Sequence, residues 1–194
     1  MQLILASSSK TRRAIFDMLG FKYEVITSKD AEKSNETDFA KYVMELSKIK
    51  AKSVAKQLNN EKALIVAADT IICMGNKKFE KPKSKEKALE NVRLFSGNMN
   101  YALTGVTIRD LYKNKELTFF DKTEVYFKKI TEADMHWYIN NTEHILEHAG
   151  YSLADGKALI FLDKIVGDYY NILGMPVGKL YTTFNELGYS ASDF

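Results

Sequence analysis

Apolar positions along this chain recur with two periods, and the changes from one to the other mark out its elements. Leu3 to Ala6 is a short apolar run that reads as a strand. Lys10 to Leu19 follows as a helix closed by Gly20, with Ser7-Ser8-Ser9 between them as loop and N-cap. Tyr23 to Thr27 reads as a second strand. Phe39, Val43, Leu46, Ile49 and Val54 fall at helical spacing, so Phe39 to Leu58 is predicted as a long amphipathic helix. Leu64 to Met74 reads as a buried strand whose apolar pattern is broken by Asp69 and Thr70. Lys85 to Phe95 is predicted helical and ends at Ser96-Gly97-Asn98.

The pattern then shortens to a period of two. Tyr101 to Leu111 and Leu117 to Ile130 are β-rich, with Thr123, Val125 and Phe127 alternating against Glu124, Tyr126 and Lys128. The polar residues Tyr112 to Glu116 suit a hairpin connection. Thr131 to Asn140 is predicted as a helix capped by Thr131, Ala158 to Leu162 as a strand, and Pro176 to Leu187 as a final helix with Pro in its first turn. The sum is α/β: a mixed sheet, strongly antiparallel in its middle, with helices packed on it. No repeat, low-complexity tract or Pro/Gly-rich linker divides residues 1–194, which read as a single domain.

Composition narrows the function classes. At 45% hydrophobic and 27% charged the chain is expected to fold as a globular protein. Its net charge is only +3, and acids alternate with bases, as in Lys81 to Glu90, which weighs against a nucleic-acid partner. The lone Cys73 excludes an intramolecular disulfide, fits a reducing compartment and reads as a small buried hydrophobe in its strand. Met1 to Ala6 carries no basic leader or long apolar stretch, and no apolar run approaches the ~20 residues of a membrane span. A cytoplasmic protein without a membrane partner is expected.

The chemistry is concentrated at residues that violate the apolar pattern. Unpaired burial of Asp69 would cost several kcal/mol. It therefore needs a metal ion, a basic partner or a strand break at a cleft, unless it merely caps a strand or a neighbouring helix. Lys50 lies one helical turn from both Leu46 and Val54, near the apolar face of its helix, so it either snorkels to solvent or points at an anion. Strand, serine loop and a helix start bearing Arg12 and Arg13 make a ready anion site, although plain N-capping with surface arginines would look the same. No glycine-rich P-loop is present. Together, the Ser and Arg residues near the N-terminus, Lys50 and Lys81 could grip phosphates, while Asp69 and Glu32 could hold a divalent ion.

At this point the sequence resembles the Maf family of nucleotide pyrophosphatases. Leu5-Ala6-Ser7-Ser8-Ser9-Lys10-Thr11-Arg12 is similar to the family's opening motif L-A-S-x-S-P-R-R. The match continues through Leu46-Ser47-Lys48-Ile49-Lys50-Ala51, Ala68-Asp69-Thr70, Lys81-Pro82, Leu94-Phe95-Ser96-Gly97 and Thr104-Gly105. It runs on through Asp121-Lys122-Thr123-Glu124-Val125, Ala149-Gly150 and Gly167-Asp168-Tyr169-Tyr170 to Gly174-Met175-Pro176. The resemblance implies a bent mixed sheet flanked by helices in two lobes, inosine-triphosphatase-like, with a central nucleotide cleft and usually a homodimer. It implies hydrolysis of a nucleoside triphosphate to the monophosphate and pyrophosphate with Mg²⁺ or Mn²⁺. Asp69 would be the general base or a metal ligand, or both, with Glu32 near the ion. Ser7, Ser9, Arg12, Lys50 and Lys81 would contact phosphates.

The chain departs from the family pattern at informative places. Lys10 stands for the motif's Pro, Thr11 for its first Arg, Glu80 for the Gly before Lys-Pro, Ser152 for an aromatic, and Asp155 for a Gln. Thr11, Thr70 and Asp155 match positions that separate the family's substrate branches, and Thr70 and the Gly167 to Tyr170 segment agree with the dTTP/UTP branch. Hence dTTP or UTP is the leading expectation, with 7-methyl-GTP or broad specificity as the alternative; Asp155 in place of an amide is expected to shift or broaden the preference. A nucleotide-sensing regulator of cell division with little turnover is the competing class. His136, His144 and His148 are expected in one helical region, as surface or interface residues rather than zinc ligands. Trp137 and Tyr138 are candidates for a dimer contact.

Overall fold

The computed structural model describes residues 1–59 and 62–194. In chain order the elements are β1 (Leu3–Leu5), α1 (Lys10–Met18), β2 (Glu24–Val25), α2 (Phe39–Gln57), β3 (Leu64–Met74) and β4 (Lys77–Phe79). They continue with α3 (Lys85–Phe95), β5 (Met99–Asp110), β6 (Lys115–Phe127), α4 (Glu132–Asn141), β7 (Leu162–Val166), α5 (Tyr169–Ile172) and α6 (Val177–Glu186). Short 3₁₀ turns cover Ile145–Glu147, Lys157–Phe161 and Ala191–Asp193. The strands form one seven-stranded mixed sheet in the order β2-β1-β3-β5-β6-β7, with β4 paired to β3. This is the α/β fold expected from the pattern.

Strand composition follows from pairing. β1 runs parallel to β2 and β3, with Leu3, Ile4 and Leu5 opposite Leu64, Ile65 and Val66. Parallel strands covered on both faces read as unbroken apolar runs, and all six of these residues are buried. β6 pairs antiparallel with β7, and there Thr123, Val125 and Phe127 are buried while Glu124 and Tyr126 are half-exposed, giving the alternation of a strand with two unlike faces. N-caps start the helices: Ser9 and Thr131, as the sequence suggests, and also Asp38 and Ser84 each accept a first-turn backbone N–H.

The chain divides into two compact units. The first comprises Met1–Thr70, Leu103–Asp121 and Gly174–Phe194. In it, Ala51 and Val54 of α2 and Leu58 at its C-cap cluster with Ile4, Ile65 and Ala67 of the sheet and with Ala6 just after β1. Gly105 of β5 lies directly under α2: a Cβ there would stand 2.3 Å from the Val43 carbonyl carbon and oxygen. Only glycine admits so close an approach. The second unit comprises Ile71–Ala102 and Lys122–Leu173 and is built on an aromatic core. Phe95 contacts Phe79, Phe127 and Tyr151 at ring-centroid distances of 4.6, 6.1 and 5.3 Å.

Some local expectations are corrected. The run Ala158 to Leu162 is not a strand; residues 157–161 form a 3₁₀ turn, and β7 starts at Leu162. Ala158 and Phe161 are buried while Leu159 and Ile160 between them are exposed, a period of three that a short apolar run hides. His136, His144 and His148 do not share a helix either. α4 ends at Asn141, His144 takes a left-handed conformation (φ 57°), and His148 is extended, so the spacing of the last two places them on no common face. β4 and α5 were not anticipated; three and four residues long, they are too brief to carry a period.

Candidate active site

Asp69 lies within an unbroken strand, so its carboxylate is accommodated by a partner and not by a break. That partner is Lys50 of α2, whose Nζ donates to Asp69 Oδ1 at 2.6 Å and to the Ala68 carbonyl at 3.3 Å. The same ammonium lies 3.1 Å from Glu32 Oε2. The Lys50 and Asp69 side chains are only 11% and 15% exposed, against 42% for Glu32, so the first pair interacts through little solvent. The lysine that the pattern put near an apolar face thus neither snorkels away nor awaits an anion in this state; it holds two carboxylates together.

The serine loop and α1 add a second cation. Arg12 is buried, and its guanidinium donates to three neutral oxygens: Gly174 O at 2.8 Å, Ser7 Oγ at 3.1 Å and Thr70 Oγ1 at 2.8 Å. Burial pushes the Arg12 pKa down, and the charges of Asp69 and Glu32 oppose that shift. Three planar donors to three fixed acceptors hold the guanidinium in one orientation, as an ammonium could not. Gly174 (φ +96°) closes the arrangement: a Cβ would come within 3.1 Å of Arg12 Nε and 3.2 Å of Thr70 Oγ1. Thr70 is further paired with the buried Thr104 hydroxyl at 3.0 Å.

Two serines complete the loop. Ser7 Oγ accepts from the Ser9 backbone N–H at 3.2 Å as well as from Arg12, and Ser9 Oγ accepts from the Arg12 N–H at 3.4 Å. Each hydroxyl acts as an acceptor in these bonds, so its own O–H proton is available to donate to an anion. Thr11 is half-buried in the first turn of α1. The first unit therefore brings together Ser7, Ser9, Arg12, Glu32, Lys50, Asp69 and Thr70, and Thr11 belongs to the same unit. Lys81 and Asp155 belong to the second unit and are exposed there. The Asp155 carboxylate accepts from the Lys157 backbone N–H at 3.1 Å. His148 is held below its ordinary pKa, chiefly by burial, with Glu147 and Asp155 opposing the shift and Lys81 and His144 adding to it.

The donor set fits a hard divalent cation. Two carboxylates converge on a single positive group, and magnesium is typically bound through one or two carboxylates with the remaining positions filled by substrate phosphates and water. Among the described residues no cluster of three or more His, Cys, Asp or Glu forms a larger ligand set. Sequence reasoning did not assign Thr104 and Gly174 a role. Both sit inside recognised motifs, but only their contacts with Thr70 and Arg12 show what they do.

Comparison with known proteins places this geometry in context. A family model described as Maf-like protein matches residues 2–187. The dTTP/UTP pyrophosphatase of Thermoanaerobacter sp. (strain X514) is 37% identical over 181 residues, 93% of this chain and 94% of that one. The dTTP/UTP pyrophosphatase of Alkaliphilus metalliredigens (strain QYMF) is 38% identical over 180 residues, 92% of each chain. Among solved structures, the Staphylococcus aureus Ham1 protein is similar over 66% of this chain and 72% of that one, with 16% identity and a TM-score of 0.45.

Proposed function

The chain belongs to the Maf-like protein family, and from that premise we propose that it hydrolyses nucleoside triphosphates, dTTP and UTP foremost, to the monophosphate and pyrophosphate. The observation that carries the reading is the constellation around Asp69: a carboxylate on a rigid strand, bonded to Lys50, with the Arg12 guanidinium fixed nearby. Water would attack the α-phosphorus, its oxygen forming the new P–O bond as the bond to the bridging α–β oxygen breaks and pyrophosphate departs. Asp69 would take the water proton. Its Oδ1 already accepts from Lys50, and Oδ2 remains for that transfer.

A triphosphate carries roughly four negative charges, and more charge develops on the transferring phosphoryl oxygens and leaving group. Lys50, Arg12 and the Ser7 and Ser9 hydroxyls would meet those oxygens, with Lys81 contributing by resemblance. Glu32 and Asp69 would hold Mg²⁺ or Mn²⁺, which supplies Lewis-acid polarisation of the phosphate. For Lys50 to reach a phosphate, its bonds to the two carboxylates must be exchanged. The presence of substrate oxygens favours that exchange, because the phosphate competes for the ammonium.

Thr11, Thr70 and Asp155 are the positions proposed to set base preference. The bond of Thr70 to Arg12 gives it a second part, in orienting the guanidinium. A homodimer and a cytoplasmic location are part of the same proposal; among the described residues no helix is long and apolar enough to cross a membrane. Pyrophosphate release from dTTP, UTP, CTP, GTP, 7-methyl-GTP and ITP, with Mg²⁺ or Mn²⁺ supplied, tests the function. Binding without release from any of them would favour the nucleotide-sensing alternative.

A further inference from the structure

Residues 26–33 form no regular element, yet they carry Glu32 to the Lys50 ammonium. Side chains of α2 hold this segment along one stripe of the helix. Gln57 Nε2 donates to the Thr27 carbonyl at 3.0 Å, Ser53 Oγ accepts from the backbone N–H groups of both Lys29 (3.0 Å) and Asp30 (3.2 Å), and Lys50 then meets Glu32. Positions 50, 53 and 57 follow the i, i+3, i+7 spacing of one helix face. Ile26, partly buried, packs against the α2 cluster at the start of the segment. The Lys56–Asp30 pair is largely exposed and contributes little by comparison.

Ser53 is the centre of this arrangement. It is 2% exposed, inside α2 about one turn from its C-terminal end, where a serine is otherwise a weak choice, and one hydroxyl serves two consecutive backbone donors. We propose that Ser53 is a positioning residue for the reaction: by anchoring residues 29–30 to α2 it sets where Glu32 stands relative to Asp69. This rests on the pyrophosphatase reading and on Glu32 serving the divalent ion, and it adds a residue that touches neither substrate nor ion. Because Lys50 and Ser53 share one rigid helix, the carboxylate of the loop and the carboxylate of β3 are referenced to the same element.

The test is a double-mutant cycle on the full-length chain. Ser53→Ala, Glu32→Gln and the pair are compared for Mn²⁺ binding, followed by electron paramagnetic resonance with a non-hydrolysable triphosphate analogue present, and for kcat at saturating metal. Ser53→Ala should weaken Mn²⁺ binding by about tenfold, the scale of one to two lost hydrogen bonds, while kcat at saturating Mn²⁺ stays within about twofold. In the Glu32→Gln background the same substitution should add almost nothing, since the residue it positions no longer serves the ion.

Equal loss in both backgrounds would mean a general structural role and overturn the proposal. So would unchanged binding in Ser53→Ala where Glu32→Gln alone weakens it. If Glu32→Gln leaves Mn²⁺ binding intact, the positioning role falls with the role of Glu32, whereas pyrophosphate release by the unmodified chain would still uphold the enzyme reading. Should Ser53→Ala fail to fold, Gln57→Ala at the half-buried end of the stripe gives the same cycle with a smaller expected effect.

Discussion

The charge arrangement around Asp69 rests on individual side chains whose roles separate by substitution. Among the described residues Lys50 is the group that ion-pairs with both Asp69 and Glu32, so Lys50→Met leaves two carboxylates that shared one ammonium without it, with little solvent around Asp69. Stability should fall by about 3 kcal/mol, the lower end for breaking a largely buried pair, read as a shift in urea midpoint. Asp69→Asn in the same chain should restore most of it, because the uncompensated charge is then gone; an unchanged midpoint in Lys50→Met would contradict the pairing. Arg12→Lys keeps the charge but cannot reproduce three planar hydrogen bonds, so kcat should drop by about 10²-fold with the protein still folded. Asp69 itself was legible as the acid that an apolar strand cannot explain. Its partner was not, because a contact between residues 50 and 69 depends on how α2 packs on β3, and Glu32 lies in a stretch with no periodicity to place it.

Among the elements, α2 has the most demanding placement. Its backbone passes over Gly105 so closely that Gly105→Ala must push the helix away, at a cost of about 3 kcal/mol, and must carry Lys50 off Asp69. Activity should therefore fall further than stability alone explains, checked by kcat/KM at a temperature where the variant is fully folded. The 3₁₀ turn before His148 carries a pH-dependent element of the fold. Burial lowers the His148 pKa, so the folded state resists protonation, and the stability this gives is present above the ordinary histidine range and lost as pH falls through it. His148→Gln should flatten the decline in thermal midpoint between about pH 7 and pH 5; an unchanged decline would assign it to other groups. Long elements were readable from the sequence: β3 and α3 have their predicted bounds, since an eleven-residue run carries enough pattern to outweigh a local break such as Asp69-Thr70. The run Ala158 to Leu162 was misread because five apolar residues fit a strand and a buried turn alike.

For the molecule as a whole, family membership extends over both compact units, while the side chains gathered around Asp69 lie in one of them. The recognised motifs divide accordingly into those that carry chemistry and those that carry backbone. In the second unit, Gly167 packs against Thr123, whose hydroxyl donates to the Asp168 carbonyl and accepts from Asn171, so the Gly167 to Tyr170 motif is bound into its own fold. Asp155, exposed and carrying charge where an amide is expected, should broaden base preference; Asp155→Gln should narrow it toward dTTP and UTP, measured as the ratio of kcat/KM values across the panel. The central claim is that Asp69 drives attack on the α-phosphorus. Its most direct test is single-turnover pyrophosphate release from dTTP or UTP by the unmodified chain and by Asp69→Asn, with nucleotide affinity measured on both. Release by the unmodified chain, slowed by about 10³-fold or more in Asp69→Asn with affinity nearly unchanged, is the predicted result; equal rates in the two proteins would contradict it.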